Sequence, residues 1–216
     1  MKVLHALTSI PIFPLPEVVL FPGGQLPLHV FEPRYRQMLE DCVATHGALV
    51  LAMLDEGETP EGLPRIRPIA GGGMVLQRQV LADGRSNILV RGEARLFLEE
   101  LPFEAPYRRA KATVLFDQEC SVRTSDAVAL SILAKEFLQL VRRENDAFAP
   151  PIDLTSRAPV LADQVAQYLL VDAVCRQRVL EELNPKERVG IVTQALSEQL
   201  LWLSRKTDKV QGSLTN

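Results

Sequence analysis

The sequence predicts an α+β fold in which a small, mostly antiparallel β barrel with one inserted helix precedes a bundle of helices. Short apolar runs separated by glycine and proline fill the first half of the chain, which is typical of strands in a closed or nearly closed barrel. Apolar residues at helical spacing fill the second half. Hydrophobic residues make up 47% of the 216 residues and charged residues 24%, as in ordinary globular proteins.

Residues 10–35 begin the predicted barrel. This stretch contains six prolines, and proline lacks a backbone N–H and fixes φ, so no long regular strand can pass through it. We therefore expect short extended pieces joined at corners, one of them at the glycine pair at residues 23 and 24. Pro33 suits the first turn of a helix near residues 33–46. The apolar stripe predicted for that helix consists of Tyr35, Leu39, Cys42 and Val43.

The remaining barrel strands are predicted from their apolar runs and turn residues. The continuous run at residues 48–54 indicates a strand buried on both faces, and the acidic residues 55–64 indicate an exposed loop. Three glycines at residues 71–73 interrupt the next extended segment, where a bulge, a corner or a close backbone approach is expected. Asp83 and Gly84 predict a hairpin. The extended segments are residues 66–80, 86–91, 95–101 and 108–116.

The pattern changes from strands to helices near residues 117–123, which predicts a barrel subdomain over residues 1–120 and a helical subdomain over residues 121–206. Asn184, Pro185 and Glu187 form a helix start signal of cap, first-turn proline and acidic residue. The helix that they begin is expected to end near Arg205, and residues 207–216 are predicted to be a disordered tail. The other helices are predicted at residues 127–143, 160–170 and 173–183.

Charge and cysteine content indicate a cytoplasmic protein. The net charge of −3 and the isoelectric point near 5.7 argue against nucleic acid as a partner. The three cysteines are scattered and form no CxxC pair, a pattern typical of a reducing compartment. No apolar run is long enough for a signal peptide or a membrane span, so no membrane association is predicted.

No catalytic or metal site emerges from the residues. No GxxxxGK[ST] phosphate loop, GxSxG motif or Cys-His nucleophile pattern occurs. Ser131 and Lys135 are four apart on a helix, but without an oxyanion hole they are better interpreted as a solvated rim. His29 and Glu32 precede a helix and lack a third ligand, so His29 is expected to form a hydrogen bond at a corner. We predict no cofactor and no enzymatic activity.

Two further patterns have structural explanations. The glycines at residues 71–73 lack the lysine and the strand-to-helix context of a phosphate-binding loop, so a barrel corner is the better interpretation. Arg78, Arg108, Arg109 and Lys111 could form a basic strip. Glutamates nearby in the sequence and the absence of interleaved aromatic residues favour a mixed, solvated surface.

Three segments resemble the Lon N-terminal domain, the substrate-binding module of Lon proteases, which itself looks related to a region of cereblon. They are FPLPEVVLFPGGQLPLHVFEPRYRQML at residues 13–39, DGRSNILVRGEARLFLEE at residues 83–100 and PYRRAKATVLF at residues 106–116. The resemblance spans roughly residues 8–205. It implies a PUA-like pseudo-barrel, a stand-alone form without the ATPase and protease modules, and non-catalytic recognition of unfolded or tagged polypeptides. It carries over no catalytic residue.

Several alternatives to polypeptide recognition stay open. The protein could be an adaptor that binds a separate protease or ATPase. A PUA-like barrel could also bind RNA or a small ligand, although the acidic balance argues against RNA. An uncharacterised hydrolase is the remaining alternative, and it would require serine, histidine and aspartate side chains to converge in a pocket. The sequence does not indicate an oligomeric state.

A candidate polypeptide-binding surface combines an accessible strand edge with exposed apolar side chains. Strand alternation directs Leu96 and Leu98 inward and Phe97 outward with Arg95 and Glu99. We favour the interpretation that the helical half of the chain covers Phe97. The alternative hypothesis is that Phe97 is a contact site for a partner, beside the acidic loop at residues 55–64. The candidate residues are Gly71, Gly72, Gly73, Met74, Leu76 and Phe97.

Overall fold

The computed structural model describes residues 7–213, with side chains described as far as Ser204. The chain divides into two compact units, residues 1–116 and residues 117–216. Within residues 7–213, the first unit contains seven strands and one helix, and the second contains four helices. The strands are β1 (Ile10–Leu15), β2 (Gln25–Val30), β3 (Ala48–Glu58), β4 (Pro64–Ile66), β5 (Ile69–Val80), β6 (Ser86–Glu100) and β7 (Arg109–Leu115). The helices are α1 (Pro33–Thr45), α2 (Thr124–Glu144), α3 (Ala158–Tyr168), α4 (Ala173–Glu181) and α5 (Pro185–Ser213).

The seven strands form one mostly antiparallel sheet, so the fold is α+β as the sequence predicts. The strand order is β1-β7-β6-β5-β3-β4, and β2 pairs with β6. Strand β1 pairs with β7 and also, in parallel, with β3. The pairings of β1, β7, β6, β5 and β3 therefore close into a circuit of five strands.

Strand β3 is buried on both of its faces, which confirms the prediction from its continuous apolar run. Ala48, Val50 and Ala52 belong to one core cluster with apolar residues of β1, β6 and β7. Leu49 and Leu51 belong to a second cluster with side chains of α1. Alternation along the strand thus supplies two hydrophobic cores from one short segment.

Helix α1 begins at Pro33 as predicted and packs on the second cluster through Tyr35, Met38, Leu39 and Cys42. Val43 was predicted to belong to the buried stripe, but it is exposed. Met38, also at helical spacing, is buried, because the buried arc is centred between Tyr35 and Cys42, with Leu39 at one edge and Val43 beyond that edge. The Cys42 thiol donates to the carbonyl oxygen of Ala48 at 3.1 Å, and burial raises the pKa of this thiol to about 12.

The second unit contains a buried arginine that the sequence did not indicate. Arg188 on α5 is 1% exposed, and it forms ion pairs with Asp117 at 2.6 Å and with Asp163 on α3 at 3.3 Å. Its Nη1 also donates to the carbonyl oxygen of Glu182 at 3.0 Å. These contacts join the start of the unit, α3 and the turn before α5.

The helix boundaries partly differ from those predicted. Asn184 caps α5 as expected, because its Oδ1 accepts from the backbone N–H of Lys186 at 3.0 Å. Helix α2 begins at Thr124, three residues before the apolar pattern starts. Helix α5 continues to Ser213, beyond the end expected near Arg205, since no glycine or proline occurs between Arg205 and Gly212. The disordered tail expected at residues 207–216 stays a prediction. Residues 214–216 lie outside the described residues.

Candidate functional site

The three glycines of the predicted site lie in the interior of the sheet. Residues 71–73 are buried, and they pair with β3 on one side and with β6 on the other. A Cβ atom at Gly73 would lie 2.7 Å from Cγ1 of Val90 and 2.8 Å from Cδ2 of Leu20. The expected accessible backbone is therefore absent here. The glycines allow neighbouring chains to approach closely, and the predicted bulge occurs as a register shift between Gly72 and Gly73.

The apolar residues of the predicted site do not form one surface. Met74 is half-buried against the first core cluster, whereas Leu76 and Phe97 are 43% and 41% exposed. Phe97 pairs with Ile69, five positions before Met74 on β5, a separation of roughly 17 Å along a strand. The structure therefore does not bring Phe97 together with Met74 and Leu76.

Phe97 and its neighbours also correct details of the expected strand. We favoured a covered Phe97, but its side chain is exposed, while Leu96 and Leu98 are buried as predicted. Arg95, expected to point to solvent, is buried with its guanidinium 5.9 Å from the ring centre of Phe21. The acidic loop is shorter than predicted, because β3 continues to Glu58 and β4 begins at Pro64.

The serine, histidine and glutamate candidates each contact another residue of their own unit. The Ser131 hydroxyl donates to the carbonyl oxygen of Leu154 at 3.2 Å. His29 Nδ1 lies 2.7 Å from Asn87 Oδ1, and Glu32 forms an ion pair with Arg34 at 2.8 Å. Among the described residues, no group of three histidine, cysteine, aspartate or glutamate side chains could hold a metal ion.

The four residues of the predicted basic strip each contact an acidic or hydroxyl group. Arg78 pairs with Glu40, and Lys111 lies 3.7 Å from Glu99. Arg108 pairs with Glu100 at 2.5 Å. Arg109 Nη2 donates to the Tyr107 hydroxyl at 2.6 Å. The charges are paired as the interpretation from the sequence expected, but Arg108 is buried rather than solvated.

A groove surrounds the segment between β6 and β7, residues 101–108. We call it the Tyr107 groove, and it consists of three adjoining recesses of about 210, 330 and 270 Å³. The first and second recesses share Leu63, Phe103 and Arg108, and Tyr107 lines the first and third. All three belong to the first unit.

The first recess is lined mainly by proline, leucine and aromatic side chains. Its lining includes Leu15 with the two prolines next to it, and Tyr35 of α1. Phe103 and Tyr107 complete the apolar lining, and Phe103 is 45% exposed. Glu32, Arg34 and Arg108 supply charged groups at its border. This chemistry suits an apolar or aromatic side chain with backbone amides nearby.

A chain of hydrogen bonds fixes Tyr107 between the groove and α1. Arg109 Nη2 donates to the Tyr107 hydroxyl, which donates to Asp41 Oδ2 at 2.6 Å. The hydrogen bond from Tyr107, with a second from Gln37, holds the pKa of the Asp41 carboxyl below its usual range. Burial, followed by the hydrogen bond to Asp41, raises the pKa of Tyr107.

Arg108 fixes the other side of the same segment. Its Nε donates to Glu100 Oε2 at 2.8 Å, and its Nη1 donates to the carbonyl oxygen of Pro64 at 2.6 Å. The segment therefore contacts α1 through Tyr107 and the start of β4 through Arg108. Phe103 lies between these anchored residues and the end of β6, on an exposed part of the segment.

The Tyr107 groove does not coincide with the surface predicted from the sequence. The signal was the sequence LPFEAPY at residues 101–107, which places a leucine and two aromatic residues next to prolines outside any strand. Large apolar residues in a connecting segment are unusual unless they pack or bind. Their convergence with Leu15 and Tyr35 depends on tertiary contacts across many residues, so it could not be deduced from local patterns.

The mostly antiparallel sheet with helices places the protein in a fold class shared with solved Lon N-terminal domains. A Lon N-terminal domain protein from Xanthomonas campestris aligns with a TM-score of 0.64 at 22% identity, over 90% of this chain and 97% of that one. The N-terminal domain of Mycobacterium avium complex Lon protease aligns with a TM-score of 0.67 at 19% identity, over 88% of this chain and 98% of that one.

The sequence comparisons identify the family. The family model for the substrate-binding domain of ATP-dependent protease La (LON) matches residues 9–198, and the chain belongs to this family. Lon protease 2 of Myxococcus xanthus is 27% identical over 213 residues, covering 95% of this chain and 26% of the relative. The chain spans about a quarter of the length of the curated relatives that it matches. Within the described residues, no helix has the length and apolar character needed to cross a membrane.

Proposed function

We propose that this chain recognises extended or unfolded polypeptide segments and performs no catalysis itself, with the Tyr107 groove as the contact surface. Membership in the Lon substrate-binding family is the observation that carries the proposal. The chemistry of the groove supports it, because proline and aromatic side chains offer rigid apolar contacts to an incoming side chain. The sequence contains no phosphate-loop or nucleophile motif, which is consistent with a protein that only binds.

Because its walls are held by hydrogen bonds, the groove can bind a polypeptide segment without a change in its own conformation. Tyr107 and Arg108 are fixed by hydrogen bonds on opposite sides of the segment, so the groove walls are ordered before a ligand arrives. Preorganised walls lower the conformational entropy lost on binding. Phe103 is exposed on the same segment and is positioned to pack against a bound apolar side chain.

Three phenylalanine-to-alanine variants test the location of this surface. Phe103 lines the groove, Phe97 belongs to the surface predicted from the sequence, and Phe31 is an exposed phenylalanine outside both. Because all three side chains are exposed, each substitution should change the unfolding temperature little. Fluorescence anisotropy with labelled, reduced and carboxymethylated α-lactalbumin measures the affinity of each variant for a permanently unfolded polypeptide.

We expect Phe103→Ala to weaken binding by about tenfold, the effect of losing roughly 1.4 kcal/mol of apolar contact. Phe31→Ala is the matched control and should bind as the unmodified protein does. A loss confined to Phe97→Ala would instead place binding on the sequence-predicted surface and overturn the groove. Absence of binding by the unmodified protein would contradict polypeptide recognition. An excess of unlabelled RNA, added as competitor, should leave the anisotropy unchanged.

A further inference from the structure

The first unit contains a small polar pocket beside the third recess of the Tyr107 groove. We call it the His46 pocket, and its volume of about 120 Å³ is smaller than that of each recess of the groove. It lies where the end of α1 meets the beginning of β7. Because many of its lining side chains carry a hydrogen-bonding group, the pocket suits a small polar ion. Its polar lining consists of Ser9, Asp41, Thr45, His46, Tyr107 and Arg109.

A backbone hydrogen bond fixes the tautomer of His46, so that its second ring nitrogen can only donate. The Nδ1 atom of His46 accepts from the backbone N–H of Ala48 at 3.0 Å. In a neutral imidazole one ring nitrogen accepts and the other carries the proton, so Nε2 of His46 is an N–H donor. Burial lowers the pKa of His46, and the positive charge of Arg109 lowers it further, which keeps the ring neutral at neutral pH.

Arg109 supplies the positive charge of the pocket. Within residues 7–204, the only hydrogen bond of its guanidinium runs from Nη2 to the Tyr107 hydroxyl at 2.6 Å. An arginine side chain carries several N–H groups in one plane, so the others can donate to an oxyanion. Such charge-assisted hydrogen bonds are stronger than those between neutral groups. With the His46 N–H and the Ser9 hydroxyl, the pocket therefore offers three donor side chains.

The negative groups at the pocket are engaged in contacts within the protein. Asp41 Oδ2 accepts from the Tyr107 hydroxyl at 2.6 Å, and Asp41 Oδ1 accepts from Gln37 at 2.8 Å. The carbonyl oxygen of Cys42, at the end of α1, accepts from the backbone N–H of Gly47 at 2.7 Å. A carboxylate has about four acceptor positions, so Asp41 can still accept from one further donor. The pocket thus combines several donors with one acceptor.

We propose that the His46 pocket binds inorganic phosphate, an oxyanion that keeps a proton throughout the neutral pH range. Its oxygens accept from Arg109, His46 and Ser9, while its own hydroxyl donates to Asp41. Sulfate has the same shape but no proton at neutral pH, so it would meet the Asp41 carboxylate with repulsion alone. A phosphate monoester loses its last proton at about pH 6 and is disfavoured for the same reason. The site does not depend on polypeptide binding.

Nuclear magnetic resonance of the histidine rings in the full chain tests this assignment. The chain contains three histidines, so the long-range proton–nitrogen correlations of each imidazole can be resolved. A His46→Gln variant assigns the signals of His46. His29, whose Nδ1 contacts Asn87 Oδ1, is the internal control. The probes are sodium phosphate, sodium sulfate and a glycine-serine peptide with one phosphoserine, each titrated at neutral pH and constant ionic strength.

We expect phosphate to shift the His46 signals saturably at millimolar concentration and to leave the His29 signals unchanged. Sulfate should bind about tenfold more weakly, because it lacks the hydrogen bond to a charged carboxylate. The phosphoserine peptide should bind about tenfold more weakly for the same reason. These comparisons use the unmodified protein, so they do not depend on the folding of any variant.

Variants at the two charged groups of the pocket sharpen the test. Arg109→Gln should abolish the phosphate-dependent shift. Lys111→Gln, at an exposed position of the same strand, removes an equal charge outside the pocket and should retain the shift. Asp41→Asn keeps an oxygen that can accept from Tyr107 but removes the negative charge, so sulfate should then bind as well as phosphate. Unfolding temperatures of the three variants verify that each is folded.

Several results would overturn the proposal. They are a phosphate titration that shifts His29 as much as His46 or shifts neither, equal affinities for phosphate and sulfate, and full phosphate binding by the Arg109→Gln variant. Tighter binding of the phosphoserine peptide than of phosphate would overturn free phosphate as the occupant. Phe103→Ala should leave the phosphate titration unchanged. Failure of the His46 pocket is therefore distinguishable from failure of the Tyr107 groove, which is measured with unfolded polypeptide.

Discussion

The two units achieve specific packing by different means. In the first unit, chains of the sheet approach so closely that residues 71–73 and Gly92 have no room for a side chain. In the second, a buried arginine joins α5 to Asp117 and to Asp163 on α3. Backbone contact fixes the first arrangement and a charge cluster fixes the second. This difference predicts that added side-chain volume lowers the stability of the first unit, whereas removal of a buried charge lowers the stability of the second.

The charged side chains at the Tyr107 groove already have partners. Arg34 lies beside Glu32, Arg108 beside Glu100 and Arg109 beside Tyr107. We therefore expect the groove to select apolar side chains rather than charged ones.

Adding one methyl group to each unit gives the largest expected contrast. In Gly71→Ala the new Cβ would clash with the Leu20 backbone and lie 2.8 Å from the Leu20 Cβ, so we expect a loss of about 4 kcal/mol or more. In Gly190→Ala the Cβ would meet nothing within 4 Å, and an exposed helical position should gain up to about 1 kcal/mol. Urea unfolding followed by circular dichroism measures both. Similar losses in the free energy of unfolding for the two variants would contradict the expected difference between the units.

Removing the buried charge should destabilise the second unit. Arg188→Met leaves the largely buried Asp163 without its cation, and we expect a loss of about 3 kcal/mol. Arg143→Met, at an exposed position of α2, is the control and should change the free energy of unfolding by less than about 0.5 kcal/mol. Trp202 fluorescence during urea unfolding reports on this unit directly. Equal midpoints for the two variants would mean that the cluster contributes no stability.

The smallest effect expected is pH-dependent and concerns Tyr107. Tyr107→Phe removes the hydrogen bond to Asp41, which should lower stability at neutral pH by about 1 kcal/mol. The pKa of Asp41 is lowered in the folded state, so the stabilisation is present above the ordinary aspartate pKa of about 4 and is lost as the pH falls through the lowered value. Unfolding temperatures of the two proteins should therefore converge in acid. A difference that stays constant with pH would exclude a role for the carboxylate charge.

Local patterns were sufficient where the physical cause is itself local. Pro33 predicted the start of α1 because its missing N–H is harmless in a first turn. The side chain of Asn184 predicted the start of α5, because it accepts from backbone N–H groups two and three residues later. The continuous apolar run in β3 predicted burial on both faces, since alternate residues point to opposite sides of a strand.

By itself, then, the sequence determined the fold class, these helix starts and the family resemblance. Only the tertiary structure decided which residues meet. Tyr107 contacts Asp41 across 66 positions, and Arg188 contacts Asp117 across 71. The glycines at residues 71–73 were visible as an irregularity, but the approach of Leu20 that requires one of them was not. Hydrogen bonds and close packing act over a few ångströms in space, so such pairings depend on how distant segments fold together rather than on local spacing.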